Sequence, residues 1–370
     1  MKRECIYLNG EKSVSIERDG KKEVTDVYID SKKHEFKEND DNQYKLEYAI
    51  ASKRKMYSQF LNNQFENLAV LTGAGASFKI GKTTVGHLMS QLWDEVENKL
   101  TKDKLIRFCV LVKYKDKDGK DEYIKNLEKL LSLANIAKYY VEDNPKKGKV
   151  TSPRVKIYTL NYDTLFEQAG RKSNFTIIDG FSFSIPRTFS GRNFDYDIVS
   201  RSSSRVKEED NFIQKVFHLY KPHGSVDWER IGNDILQKEN VTNPLMIFPK
   251  DSKYESSYEQ PYFEMLSRFQ QNLRSENVLL ICIGFSFNDK HIVTTIIEAL
   301  EQNPSFQLMV VNKGIDNSSE NFKPFYEAAK KHNNITLVDE EFVDFARYYP
   351  DLKSYNQEDT KKIIINNILP

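Results

Sequence analysis

Cysteine is scarce in this chain of 370 residues: Cys5, Cys109 and Cys282 stand far apart, and no C-x-x-C pair occurs. Three scattered thiols exclude a disulfide framework and give no support to a structural zinc site. Cys282, inside "VLLICIGF", reads as a small buried hydrophobe. Long apolar runs are missing as well, since no window reaches the roughly 18 residues that a membrane span needs. The opening "MKRECIYLNGEK" lacks the apolar stretch of a signal peptide, so a cytoplasmic location is expected. Nor is there charge of one sign, because 55 basic residues face 54 acidic ones and leave +1. Without a global field, no direct binding of nucleic acid or of an anionic membrane is expected. Mixed runs such as "KYKDKDGKDEY" read as solvated surface.

What is present is a soluble globular composition, 39% hydrophobic and 29% charged. Residues 1–60 are polar, with weak alternation in "KSVSIERDG" and "EVTDVYID" and a "DG" turn signal that suits a hairpin. The period then becomes helical through "EYAIASKRKMYSQFLNNQF", before the apolar strand "NLAVLT". Helical spacing returns at Val85, Leu88, Met89, Leu92, Trp93 and Val96, and again through "DEYIKNLEKLLSLANIAKYYVED". "RVKIYTL", "NFTIIDGF", "VFHLYKPHGS", "PLMIFP", "NVLLICIGF", "SFQLMVVNK" and "NITLVDE" read as strands ending in polar turns. "NYDTLFEQAG" begins a helix closed by Gly170, and Ile292, Val293, Ile296, Ile297 and Leu300 mark one face of another. Apolar strands alternating with helices predict an α/β fold, a Rossmann-like parallel sheet with helices on both faces. In such sheets ligands lie at the carboxyl ends of the strands.

Four strand ends carry chemistry. Gly73-Ala74-Gly75-Ala76-Ser77 follows the first apolar strand, where glycines permit a tight turn and backbone N–H groups can meet a diphosphate. The same stretch continues into "GKT", but Ala76 stands where a triphosphate loop needs its first glycine. At the second end, Asn161 can orient water or a carboxamide and Asp163 can accept from an amide or ribose hydroxyl, or either can cap the next helix. At the third, His223 sits between Pro222 and Gly224, in a turn that projects it outward; it suits proton transfer or is simply a surface histidine. At the fourth, Gly284 leaves room for a ligand, Ser286 or Asn288 can cap, and Asp289 complements the helix dipole. Asn312 ends "LMVV", placed to bond a ribose hydroxyl.

In this order and spacing, "GAGAS", "TLNYD", "KPHGS", "GFSFND" and "VVN" resemble the sirtuin family from about residue 60 to 345. The chain looks most similar to sirtuin-like NAD-hydrolysing proteins of bacterial antiphage defence, among them the sirtuin subunit that partners a HerA-type hexameric ATPase. The resemblance implies NAD as substrate, with Gly73, Ala74, Gly75 and Ser77 at the diphosphate and nicotinamide ribose. It implies Asp163 at the nicotinamide ribose and carboxamide, and Gly284, Ser286 and Asn312 at the adenosine side. Asn161 and His223 are the implied catalytic pair. Two departures separate the chain from deacylating sirtuins: Leu160 replaces the glutamine before the asparagine, and three cysteines cannot build a four-cysteine zinc module. The expected activity is therefore NAD+ glycohydrolysis to nicotinamide and ADP-ribose, by an NAD-depleting effector. The rivals are a protein deacylase, an ADP-ribosyltransferase, and a non-catalytic scaffold that binds NAD or ADP-ribose.

The domain reading follows. Residues 1–60 form an N-terminal segment with an assembly role, and residues 61–348 form the NAD-binding catalytic domain. That domain carries a helical insertion around 98–150 and a loop insertion around 181–212 long enough to cover a pocket. Residues 349–370 are a tail whose "IIINNIL" would be costly to expose, so it is expected to pack against its own chain or another subunit, and a homo-oligomer is the expected assembly. No convincing magnesium acid accompanies "GKT", which leaves "GAGAS" as the diphosphate cradle and Lys82 in the lead into a helix.

Overall fold

The computed structural model describes residues 3–62, 65–77, 154–198, 213, 215–247, 259–315 and 319–350. Several sequence readings lie outside these residues: Lys82 and the helix over 85–96, Cys109, the insertion 98–150, residues 199–212 of the long loop, and the tail from 351.

The apolar runs form strands β5 (Asn67–Thr72), β6 (Lys156–Thr159), β7 (Thr176–Ile178), β9 (Val216–Tyr220), β13 (Val278–Ile283), β14 (Gln307–Asn312) and β15 (Ile335–Asp339). All are parallel neighbours, in the order β15-β14-β13-β5-β6-β9-β7. Their lack of polar alternation has a direct cause: successive residues enter different cores. Leu68 and Val70 face one core while Ala69 and Leu71 face the other, and Leu279 and Ile281 are split likewise from Leu280 and Cys282. Helices α1 (Asn42–Leu61), α2 (Leu165–Lys172) and α6 (Phe342–Tyr348) cover the first face. Helices α3 (Tyr262–Leu273), α4 (Lys290–Gln302) and α5 (Lys323–Ala329) cover the second. The predicted α/β fold with helices on both faces is present.

Residues 3–33 extend this sheet instead of standing apart from it. β1 (Arg3–Asn9) pairs antiparallel with β15, and β2 (Lys12–Arg18), β3 (Val24–Ile29) and β4 (Lys32–Lys33) follow outward. The alternation in "KSVSIER" is that of a strand buried on one side, with Val14 and Ile16 inside. A second, antiparallel sheet orders β12 (Pro244–Met246), β10 (Gly224–Ile231), β11 (Asp234–Gln237) and β8 (Arg187–Thr188). Its β10–β11 hairpin turns at Gly232, φ +61°, a signal present in "ERIGNDI" but masked by the surrounding charge.

Two helix boundaries differ from the sequence expectation. α2 runs on to Lys172 rather than closing at Gly170. Gly170 serves close packing, since a Cβ there would lie 2.9 Å from Ile177 and 3.1 Å from Phe217. The cap of α4 is Asp289, not Ser286 or Asn288, which are both exposed. The described part of the long loop is tied to the body through Arg187–Asp179, Arg268–Asp195 and Arg154–Asp197 ion pairs.

Candidate active site

Every sequence-selected residue stands at the carboxyl end of a parallel strand or in the turn after it. β5 gives way to a 3-10 turn over Ala74–Ser77, and β13 to the Gly284 turn. The two turns interlock through backbone. Gly73 donates its N–H to the Ile283 carbonyl (3.0 Å) and Gly75 to that of Gly284 (2.9 Å), while Ala76 donates to Gly73 (3.0 Å). A Cβ on Gly73 would lie 2.6 Å from the Gly284 oxygen, and one on Gly284 would lie 2.1 Å from the Ala76 nitrogen. These glycines therefore have a packing reason of their own, and three N–H groups assigned to a diphosphate cradle are donated inside the protein. Ala74 and Gly75 remain exposed at the turn.

Beside this seam a cavity of about 610 Å³ opens, lined among others by Gly75, Gly284, Phe285, Ser286, Asn312 and Lys313. Thus Gly75, Gly284, Ser286 and Asn312 come together. Asn312 is largely engaged: its amide accepts from Phe285 N–H (3.1 Å) and donates to the Phe285 carbonyl (2.6 Å), bracing the turn that forms the cavity wall. Asn161, Asp163 and His223 do not line this cavity but flank the seam's other side.

Asn161 donates its side-chain amide to the Gly73 carbonyl at 3.2 Å, joining the ends of β5 and β6. Asp163 is 7% exposed, and its Oδ1 accepts from the Leu165 N–H at 3.1 Å, so it serves the start of α2. Burial raises its carboxyl above the ordinary range, against the pull of Lys221.

Lys221 is a residue that sequence reasoning passed over. It is 1% exposed and spends its three ammonium donors on the Asp163 carbonyl (2.5 Å), Glu167 (2.8 Å) and the Ser225 hydroxyl (2.8 Å). Burial pulls its pKa down, but Glu167, Asp227 and Asp163 outweigh it and the net direction is up. Glu167 is pushed up to about 7, chiefly by burial, with Lys221 opposing and Asp227 adding. From Ser225 the polar chain continues to Asp227 (2.5 Å), then Gln237 (2.7 Å from Asp227), then Arg187, which pairs with Asp179. A lysine directly after the apolar run "VFHLY" was the available signal, since nothing apolar can satisfy a buried ammonium.

His223 follows two residues later and is not projected outward as its turn suggested, its side chain being 16% exposed. Its Nε2 lies 2.9 Å from Oδ2 of Asp289, itself 8% exposed. Oδ1 of the same carboxylate accepts from the N–H groups of His291 (3.1 Å) and Ile292 (3.4 Å), as the N-cap of α4. The Tyr162 ring lies 6.5 Å from the imidazole, centroid to centroid. Tyr162 also donates its hydroxyl to the Ile247 carbonyl (2.6 Å), whose N–H returns to the His223 carbonyl (2.8 Å). The turn after β6 is thus locked to the turn after β9, holding Asn161 and His223 in one rim. Such a rim offers an amide to orient a small molecule and a histidine to move a proton. Among the described residues, no group of three or more His, Cys, Asp or Glu comes together as a metal site. No described helix is long and apolar enough to cross a membrane.

Residues 155–337 match the family model of the SIR2-like domain, a span that contains Asn161, Asp163, His223, Gly284, Ser286, Asp289 and Asn312. Solved structures align as well. One of a Sir2 enzyme has 9% identity, covers 80% of this chain and 96% of that chain, and gives a TM-score of 0.38. A sirtuin studied for substrate affinity has 15% identity, 78% and 95% coverage, and a TM-score of 0.39. A second one has 13% identity, 79% and 95% coverage, and the same TM-score of 0.39. No curated protein matches the chain.

Proposed function

We propose that this chain is an NAD+ glycohydrolase, cleaving NAD+ to nicotinamide and ADP-ribose with water as the acceptor. The observation that carries the reading is the shared rim. Asn161 is bonded to the Gly73 carbonyl and His223 is locked to the adjoining turn through Tyr162 and Ile247. The SIR2-like match over residues 155–337 supports an NAD-dependent enzyme. The cavity beside the rim, of about 610 Å³, has the size of a small-molecule site and suits the adenosine half, with Gly75 and Ser286 at its wall.

Departure of nicotinamide leaves C1′ of the ribose with oxocarbenium character, and water closes the reaction from the opposite face. Asn161 orients that water by its amide, and His223 takes the proton as the new C–O bond replaces the C–N bond. A positioned base contributes on the order of 10²–10⁴ in rate.

Incubation of the pure protein with NAD+ alone tests the reading. Release of nicotinamide and ADP-ribose is expected, with turnover lost in His223→Ala and Asn161→Ala while both variants keep the wild-type unfolding temperature. A protein deacylase would release nicotinamide only with an acylated peptide, and a scaffold would bind NAD+ without consuming it. Turnover close to wild type in either folded variant overturns the assignment.

Following the family resemblance, the proposal extends to an NAD-depleting effector of antiphage defence, acting as a homo-oligomer with a HerA-type hexameric ATPase. Co-expression with such an ATPase tests it: co-elution and phage-dependent NAD+ loss are expected, and separate elution counts against the partnership.

A further inference from the structure

Asp289 does two jobs with two oxygens. Oδ1 accepts from the first N–H groups of α4, and Oδ2 meets His223 Nε2 at 2.9 Å. A carboxylate has no proton to give, so this 2.9 Å contact is favourable when the imidazole carries a hydrogen on Nε2. A neutral ring that donates from Nε2 carries its lone pair on Nδ1, the remaining nitrogen. Asp289 is itself buried, and its side chain accepts from the first N–H groups of α4. It also closes the segment from Gly284, of which Gly284, Phe285, Ser286 and Phe287 line the cavity, and Phe287 is held at φ +60°. A non-glycine residue in that region marks a backbone held by its surroundings.

We infer that Asp289 is a positioning residue for His223: it fixes the ring's orientation and its Nε2–H tautomer, so that Nδ1 is the nitrogen that receives the proton. The inference rests on the proposed NAD+ hydrolysis for its kinetic consequence, but the tautomer itself does not. One carboxylate thereby joins the cavity wall to the proton acceptor, so that a segment touching one half of the substrate orients the group acting on the other.

Asp289→Asn is the discriminating substitution. Asn caps a helix as well as Asp does, so the unfolding temperature stays near wild type. The cap requires an oxygen toward His291 and Ile292, which turns the amide nitrogen toward His223. Nε2 must then accept, and the proton moves to Nδ1. Nitrogen NMR on protein labelled in its six histidines, with His223 assigned by its loss in His223→Ala, reads this directly. Nε2–H is expected in the wild type and Nδ1–H in Asp289→Asn, with kcat falling about 10²–10⁴-fold and KM changing little. Nδ1–H in the wild type, or wild-type tautomer and kcat in Asp289→Asn, overturns the inference. If the wild type consumes no NAD+, the functional reading fails, and the nitrogen spectra still decide the role of Asp289.

Discussion

Glu167 is a group whose charge depends strongly on its surroundings. It is buried against Lys221, and its pKa is pushed up to about 7 from an ordinary 4.5. In the folded protein it therefore holds a proton that the unfolded chain has already lost between those two values. Where the native state binds more protons than the unfolded one, stability declines as pH rises. The contribution falls from about pH 4.5 to about pH 7 and then levels. His218 acts oppositely: burial pushes it down to about 4, so its contribution is lost as pH drops from 6.5 toward 4. Replacing Glu167 by Gln keeps the shape and removes the ionisation. Thermal unfolding across pH 5–8 should show a smaller decline in Glu167→Gln than in the wild type, and identical slopes would contradict the assignment. Neither group was legible in the sequence. "DTLFEQAG" shows only an acid near a helix start, and its partner Lys221 lies 54 residues away.

At the scale of elements, the interlocked turns after β5 and β13 make a specific demand. Gly284 has φ +61° and no room for a Cβ, whereas Gly232 has the same φ with nothing within 4 Å. Gly284→Ala should cost about 1–3 kcal/mol beyond Gly232→Ala, because only the first adds a backbone clash to the strain. Chemical denaturation of the two variants measures the difference, and equal losses would mean that the seam relaxes freely. "GAGAS" and "GFSFND" were readable as strand ends because apolar runs precede them, and glycine after such a run marks a turn. Their mutual contact was not readable, being made between residues about 210 apart. The cap of α4 failed for a similar reason: Ser286, Asn288 and Asp289 all suit a cap, and only the tertiary turn decides which carboxylate or hydroxyl points inward.

For the molecule as a whole, the parallel core was evident from its runs of Val, Ile and Leu. The placement of residues 3–33 was not, because alternation marks which side of a strand is buried and says nothing of its partner. β1 covers the edge of β15, and Tyr7, Val14, Ile16, Val24 and Val27 are buried there. Removing residues 1–33 would bare both that edge and this apolar surface. Such a truncation should elute as aggregate or remain insoluble, and a monodisperse product with an unchanged unfolding temperature would show that the extension is dispensable.

The outermost strands of the large sheet also bear on how copies of the chain can meet. Among the described residues, the sheet ends at β4, which is two lysines, Lys32 and Lys33, and at β7, which is three residues long. Short and, at one end, charged borders offer few backbone groups to an incoming strand. Growth by adding sheet to sheet is thereby discouraged at both borders.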